Sequence, residues 1–481
     1  MSYLQGPDRL QTQLLPASVD EYVAANAPVR FIDAFVGQLN LETLGFQRSK
    51  PAQTGRPGYD PGDLLRLYLY GYLNRIRSSR RLERESHRNV ELMWLLRCLT
   101  PDFKTIADFR KENRETFKGV FKQFNLLCRK LDLFGNELVA IDGSKFKAVN
   151  NPARRYTSQQ FEELVQTIDK RIEEYLQKLD QQDTEAEGAS GNANIQSLQE
   201  KIAVLRSKKG KLEELVQELQ LSEQKNSPAT DLDSRGQKRV GVGYNVQVAV
   251  DAKSHLIVAS EVVQEANDRG QLSVMALAAK QELGVQNLKA VADAGYHESH
   301  QLHRCGQEGI EAYVPAQGTT SGRSKDGKKV FPKEVFIYDP GQDSYLCPAG
   351  QLLGRSYEKD NQGKAVVVYA NRKACCNCPL KSQCTISPHR KISRAEHEAE
   401  VEAIAKRVAA HPEIVAKRKT IVEHVFGSLR QWHHDTFLTR GLESVRAEFS
   451  LSVLTYNLSR VLRLKSVEQL LRALAPKSAP S

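Results

Sequence analysis

Residues 138–144 read Leu-Val-Ala-Ile-Asp-Gly-Ser, an apolar run that stops at a carboxylate, Asp142. A short apolar run bounded by a turn signal predicts a strand that is buried on both faces. A second run, residues 288–292 (Leu-Lys-Ala-Val-Ala), stops at Asp293 and is followed by Ala-Gly-Tyr, whose glycine predicts a turn. Both patterns predict neighbouring central strands of one sheet, each ending at an aspartate.

A third acidic residue, Glu423, lies in a helical pattern. It belongs to residues 419–430, Lys-Thr-Ile-Val-Glu-His-Val-Phe-Gly-Ser-Leu-Arg. The apolar positions follow the spacing i, i+3, i+4, i+7 and predict one buried helical stripe, formed by Val422, Val425, Phe426 and Leu429. Lys419 and Arg430, four residues before and seven after Glu423, share the helical face of that carboxylate.

The elements around these residues predict the fold class. Residues 243–251 and 256–263 read as a β-hairpin, and Asp268 with Gln271 resembles a capping box that opens a helix to about residue 282. A helix over residues 299–308 and a strand over 310–315 follow. The order strand, strand, strand, helix, strand, helix, strand and distant acidic helix predicts an α/β protein with an RNase H-like mixed sheet flanked by helices.

Residues 1–136 are predicted to form an all-helical domain. Pro61 opens an apolar-faced run over residues 62–81, and a further helix is expected from Thr105 to Leu133. Six arginines lie on both sides of a short break near residues 78–79, namely Arg75, Arg77, Arg80, Arg81, Arg84 and Arg88. Two helices arranged in this way place cations along a phosphate backbone, as in helix-turn-helix modules, so we predict DNA binding here. The alternative is a solvated face that contributes only solubility.

Residues 137–475 are predicted to form the second domain, with two inserts. Residues 152–228 carry apolar positions at helical spacing and predict a helical hairpin, whose loop is the acidic segment 183–194. This hairpin either contacts DNA or a second subunit, or it is a tolerated insertion. Residues 316–395 form a cysteine-rich insert, and residues 476–481 are predicted to be a disordered tail.

The composition limits the partners. Among 481 residues, 69 Lys and Arg outnumber 58 Asp and Glu, which leaves a net charge of +11 and indicates a polyanionic partner such as nucleic acid. A basic surface without a partner is the alternative. No apolar stretch approaches the ~18 residues that a membrane span needs, and the first residues do not resemble a signal peptide. We therefore expect a soluble, cytoplasmic protein.

The three carboxylates suit phosphodiester chemistry. Two Mg²⁺ ions roughly 4 Å apart stabilise the attacking and leaving oxygens, and such ions prefer carboxylate oxygens as ligands. We predict that Asp142, Asp293 and Glu423 bind Mg²⁺ or Mn²⁺, while Lys419 and Arg430 hold DNA phosphates. Taken singly, strand-end aspartates often bind only turn amides, the role assigned to Asp251, and a helix glutamate between cations is usually a surface ion-pair row.

The cysteine-rich insert has a metal-binding pattern. Cys347 precedes Cys375, Cys378 and Cys384, and these residues offer four thiolates for a structural zinc ion, with Cys376 left over. Reduced thiols packed without a metal are the alternative.

The three acidic segments, Ile-Asp-Gly-Ser at 141–144, Ala-Asp-Ala-Gly-Tyr at 292–296 and Val-Glu-His-Val-Phe-Gly at 422–427, resemble the motifs of DDE transposases encoded by bacterial insertion sequences. The resemblance covers most of the chain, including the cysteine-bearing insert that one branch of these enzymes has. Many relatives have a tyrosine and an arginine before the glutamate and a lysine after it, and Ala416, Lys419 and Arg430 occupy those spacings here.

The resemblance implies Mg²⁺-dependent cutting and joining at the terminal inverted repeats of a mobile element. It also implies a homodimer on double-stranded DNA, both element ends and target, in the bacterial cytoplasm at the nucleoid. Two other hypotheses stay open: a catalytically silent relative that acts as a repressor or architectural protein, and a nuclease that cuts without joining.

Overall fold

The computed structural model describes ten segments of the chain, and the predicted tail, residues 476–481, lies outside them. The described residues are 18–51, 57–150, 155–185, 189–221, 227–228, 235–237, 241–316, 330–360, 365–433 and 435–475. Among them, no helix is both long enough and apolar enough to cross a membrane.

The protein combines many helices with a mixed sheet. In chain order, the described α-helices are α1 (Pro28–Gly37), α2 (Pro61–Leu73), α3 (Ser79–Ser86), α4 (Val90–Leu95), α5 (Phe103–Glu112), α6 (Thr116–Lys130), α7 (Ser158–Glu185), α8 (Ala189–Leu221), α9 (Leu272–Leu283), α10 (Ser299–Gln307), α11 (Arg372–Cys376), α12 (Lys381–Cys384), α13 (Glu398–Ala410), α14 (Pro412–His433), α15 (Leu442–Leu464) and α16 (Val467–Leu474).

The described strands form one central sheet, one smaller sheet and one short pair. They are β1 (Leu138–Lys147), β2 (Arg155–Tyr156), β3 (Ser227–Pro228), β4 (Arg235–Gln237), β5 (Gly241–Asp251), β6 (Ile257–Val263), β7 (Leu288–Val291), β8 (Ile310–Tyr313), β9 (Ile337–Asp339), β10 (Ser344–Leu346), β11 (Leu352–Asp360), β12 (Ala365–Ala370) and β13 (Lys391–Ala395).

The central sheet has the strand order β4-β5-β1-β7-β8, with β6 also paired to β5. Strand β1 is antiparallel to β5 and parallel to β7, and β7 is parallel to β8. The interior strand β1 is fully buried over Val139–Ile141, which explains the apolar run in the sequence. The smaller sheet, in the cysteine-rich insert, is antiparallel with the order β13-β12-β11-β10-β9.

The N-terminal helices and the sheet share one hydrophobic core. Helix α15 contributes to it along most of its length and packs against α2, α6 and β6, while α16 packs against α1. A boundary at residue 136 therefore separates elements by type and not by core.

Two N-terminal helix predictions are corrected. The helix predicted over residues 62–81 ends at Leu73, because Arg75 has a left-handed backbone with φ +61° and the chain turns before α3. The helix predicted from Thr105 to Leu133 is two helices, α5 and α6. Asn113 separates them: its amide donates to the Phe109 carbonyl and accepts from the backbone N–H of Gln47, which is distant in sequence.

Three further predictions need correction. Strand β1 continues beyond Asp142 to Lys147, because its antiparallel pairing with β5 extends further than its parallel pairing with β7. Helix α9 begins at Leu272 without a side-chain cap, so Asp268 does not form the expected capping box. The loop predicted over residues 183–194 is largely replaced by helix, since α7 reaches Glu185 and α8 begins at Ala189, while residues 186–188 lie outside the described residues.

Candidate active site

The structure brings Asp142 and Asp293 together. In the parallel pair of β1 and β7, Ala140 is the partner of Val291, so two residues further along each chain the two aspartates reach the same level. Neighbouring strands lie about 4.8 Å apart. Asp293 follows the end of β7, and its carboxylate accepts the backbone N–H of Gly295 at 2.7 Å, which fixes the turn predicted there.

The electrostatic environment of Asp142 is unusual. Its pKa is raised to about 6: burial is the largest cause, Arg418 and the backbone N–H of Gly143 oppose the rise, and the nearby charge of Asp293 adds to it. The protein therefore holds a carboxylate where the ionised form is disfavoured unless a cation lies beside it.

Arg418 on α14 supplies that cation in this structure. Its Nη1 lies 2.8 Å from Oδ2 of Asp142, and the two side chains are 13% and 17% exposed. Sequence reasoning missed Arg418, although a signal was present. It lies four residues before Val422 on the buried stripe of α14, and a cation on a buried face needs an anionic partner.

Glu423 lies on the same helix but is exposed. It lies between Arg418, which contacts Asp142, and Arg430, whose Nη2 donates to Ser144 Oγ at 2.5 Å. Helix α14 therefore crosses β1 with Glu423 in the crossing segment. Among the described residues, however, Glu423 makes no ion pair, and the three carboxylates do not come within 4.8 Å of one another.

The two predicted phosphate-binding cations differ in their surroundings. Lys419 is exposed, whereas Arg430 also pairs with Asp435 at 3.0 Å and is 45% exposed. Arg430 contacts Ser144, two residues after Asp142 on the same face of β1, so its guanidinium lies at the edge of the aspartate site.

A polar network packs against β1 on the face opposite the side chain of Asp142. Oδ1 of Asp268 accepts from the amides of Asn245 and Gln247, both at 2.7 Å, and from Lys145 Nζ at 3.4 Å. The Tyr296 hydroxyl donates to Gln247 Oε1. The network therefore links β1 and β5 to the turn after Asp293. Sequence reasoning missed it, because the amides on β5 resembled ordinary alternation but are fully buried.

Gly143 is required for this network. A Cβ atom at this position would lie 2.4 Å from Nε2 of Gln247 and 2.7 Å from Oδ1 of Asp268. The glycine after Asp142 therefore allows the polar side chains to approach the strand closely. Burial also lowers the pKa of Lys145, whereas the charge of Asp268 raises it.

The six N-terminal arginines do not share one environment. Arg77 is 10% exposed and pairs with Glu448, which is 1% exposed, so its guanidinium is engaged inside the protein. Arg80 lies over the ring of Phe103, and Arg88 pairs with Glu85. The members with exposed side chains are Arg75, Arg80, Arg81, Arg84 and Arg88.

Asp251, the strand-end aspartate that we predicted to bind turn amides and not a metal, does so in the structure. It is buried and accepts the backbone N–H groups of Gly135, Lys253 and Ser254.

The predicted zinc ligands Cys347, Cys375, Cys378 and Cys384 line one small cavity of the insert. Among the described residues, a different group, His303, His397 and Glu400, has ligand atoms within 4.8 Å of one another. The two imidazoles stack in parallel at 3.6 Å, so their lone pairs do not converge on one point.

Two family models match the sequence. One, described as a transposase domain (DUF772), matches residues 17–112, and the other, described as a transposase DDE domain, matches residues 346–462. Together they support a DDE transposase of the insertion-sequence type, which confirms the resemblance. The second match includes Arg418 and Glu423, while Asp142 and Asp293 lie between the two matched regions.

No curated protein matches the chain. One solved structure, the synaptic complex of piggyBac transposase with hairpin DNA, is similar over 95% of this chain and 87% of that chain. Its sequence identity is 9% and its TM-score is 0.25.

Proposed function

We propose that this transposase cuts DNA at the ends of an insertion sequence and joins it to a target, using Asp142, Asp293 and Glu423 as metal-binding carboxylates. The observation that carries the proposal is the parallel register of β1 and β7, which sets two aspartates side by side under the helix that bears Glu423.

The strand arrangement supports an RNase H-like catalytic core. Three strands, β6, β5 and β1, are antiparallel, and β7 and β8 continue from β1 in parallel. The order β6-β5-β1-β7-β8 puts the first strand in the centre, and both aspartates lie where β7 ends beside it. This arrangement agrees with the fold that the element order in the sequence predicts.

The donor set suits Mg²⁺ or Mn²⁺. Asp142 and Asp293 offer hard oxygen ligands, and the raised pKa of Asp142 together with its ion pair to Arg418 indicates a site that attracts positive charge. A divalent ion bound there would activate the attacking oxygen and stabilise the leaving one. Arg418 must release Asp142 for this to occur, and Glu423 must turn its exposed side chain toward the aspartates.

The remaining residues contribute to DNA binding in this proposal. The exposed arginines of α3 and its flanks, Arg75, Arg80, Arg81, Arg84 and Arg88, contact phosphates of the element ends. Lys419 and Arg430 hold the phosphate next to the aspartates. The active assembly is a homodimer on double-stranded DNA at the bacterial nucleoid in the cytoplasm.

The test uses duplexes that carry the sequences flanking the coding region, incubated in Mg²⁺ or Mn²⁺. We expect nicked and joined products from the intact protein and none from Asp142→Asn, Asp293→Asn or Glu423→Gln, all with DNA binding retained. The matched control is Asp132→Asn, since that side chain is 87% exposed and pairs with Lys253 beyond the end of β5. Products that persist in Asp142→Asn would overturn the assignment of this residue, and binding without cleavage by the intact protein would favour a silent repressor. Cleavage without joining would indicate a nuclease.

A further inference from the structure

Four cysteines of the insert surround one cavity. Cys347, Cys375, Cys378 and Cys384 line a space of about 20 Å³, and each is half-buried. Cys376 does not line this cavity and its side chain is exposed. Four of the five cysteines in the insert therefore lie at one cavity. Among them, Cys347 is well separated in sequence from Cys375, Cys378 and Cys384.

The turn at Cys347 directs an N–H group at sulfur. The backbone N–H of Gln351 donates to Cys347 Sγ at 3.3 Å, and the N–H of Gly350 donates to the Cys347 carbonyl at 2.8 Å. Gly350 makes this turn possible with φ +72°, a left-handed conformation that favours glycine. A hydrogen bond from an amide to sulfur stabilises the thiolate, which is the form that binds metals.

The other three thiols come from one compact segment. Cys375 and Cys378 flank the end of α11, and Cys384 ends α12, where its carbonyl accepts from Arg390. Two short helices and the residues between them therefore present three thiols to the cavity that Cys347 lines from the other segment. Four thiols around one small cavity are the ligand set of a structural zinc ion.

The insert also lacks a large core. Its hydrophobic cluster contains only five buried residues among those that the structure describes, namely Phe336, Tyr345, Leu353, Tyr369 and Ile392. Small folding units of this kind are commonly stabilised by a structural metal.

We propose that Cys347, Cys375, Cys378 and Cys384 bind one structural zinc ion, which ties the turn after β10 to α11 and α12. The proposal concerns a site separate from the carboxylates and does not depend on DNA cleavage. In the described structure no three of these sulfurs lie within 4.8 Å of one another. Zinc with bonds of about 2.3 Å to sulfur in a tetrahedron requires separations of about 3.8 Å. Binding therefore draws both segments inward onto the cavity.

The experiment measures metal content in the full-length protein purified without chelators, together with X-ray absorption at the zinc edge. We expect one zinc per chain with four sulfur neighbours. Cys347→Ser should lose most of the zinc, and Cys376→Ser, a matched control one residue from a ligand, should keep it.

Thiol labelling provides an independent measurement. In the zinc-loaded protein, four fewer cysteines should react than after chelation, and zinc added back should raise the melting temperature of the chelated protein. Equal zinc in Cys347→Ser and Cys376→Ser would overturn the ligand set. A protein without zinc that gains no stability from added zinc, one that contains iron, or one in which these cysteines form disulfides would overturn the site. None of these results involves DNA, so they are distinct from a failure of the proposed transposase chemistry.

Discussion

Replacing Arg418 by glutamine separates two roles of one ion pair. In the metal-free protein, Arg418 pairs with a carboxylate that burial disfavours in its ionised form, and the pKa of Asp142 is raised to about 6 even though Arg418 lowers it. Its removal leaves that carboxylate without a cation, so the folded state loses stability. A divalent ion needs the same carboxylate, so the substitution also removes a competitor and should strengthen metal binding.

The exposure of the pair sets the size of the effect. Fully exposed pairs contribute about 0.2–1 kcal/mol, and breaking a buried pair costs about 3–5 kcal/mol. With side chains 13% and 17% exposed, we expect a loss of about 2–3 kcal/mol for Arg418→Gln. At about 2–4 °C per kcal/mol for a large domain, the melting temperature should fall by about 4–12 °C.

The assay compares Arg418→Gln with Lys419→Gln, which removes the same charge from the exposed neighbouring residue. Melting temperatures are measured without metal, and Mn²⁺ affinity is measured by calorimetry at pH 8, where Asp142 is ionised. We expect the lower melting temperature only in Arg418→Gln. This variant alone should also bind Mn²⁺ about tenfold more tightly, because about 1.4 kcal/mol less competition from the ion pair corresponds to a tenfold change in affinity. Equal melting temperatures in the two variants, or weaker Mn²⁺ binding in Arg418→Gln, would refute this reasoning.

Four other outcomes are expected. Because metal binding needs ionised Asp142, whose pKa is raised to about 6, Mn²⁺ affinity should fall about tenfold per unit as the pH drops below 6, and a flat titration between pH 5 and 7 would contradict this. Asp268→Asn should lower stability by about 2–4 kcal/mol in thermal unfolding, because it weakens a charged acceptor that holds buried donors. Glu448→Ala should cost about 3–5 kcal/mol, since it removes the buried carboxylate that pairs with Arg77 and accepts two backbone N–H groups, whereas unchanged unfolding would exclude a structural role. Gly143→Ala should destabilise the protein by about 1–3 kcal/mol through overpacking, with Gly210→Ala on α8, where nothing lies within 4 Å, as the control.

Local patterns predicted much of this fold. The apolar runs before Asp142 and Asp293 indicated interior strands, and the spacing of Val422 to Leu429 indicated the buried stripe of α14. These predictions succeed because a strand or helix that is buried on one or both faces has apolar residues at regular spacing in its sequence.

The errors arise where a distant residue decides the local structure. Asn113, which accepts a hydrogen bond from Gln47, interrupts the helix that the apolar spacing predicted. Strand β1 extends past its apolar run because β5 pairs with it beyond Asp142. The partners of Arg418 and Asp268 are also far away in sequence, so periodicity alone identifies neither contact.

The core that the N-terminal helices share with α15 and α16 affects how the protein is made. The Gln38 amide after α1 donates to the carbonyl of Leu474 at the end of α16, and Arg77 needs Glu448 on α15. A nascent chain cannot form these contacts until α15 and α16 leave the ribosome, so the N-terminal helices lack these partners until then. Premature termination before residue 448 therefore yields a product whose first helices lack their packing partners, which makes early stop codons in this gene damaging even when they lie after every acidic segment.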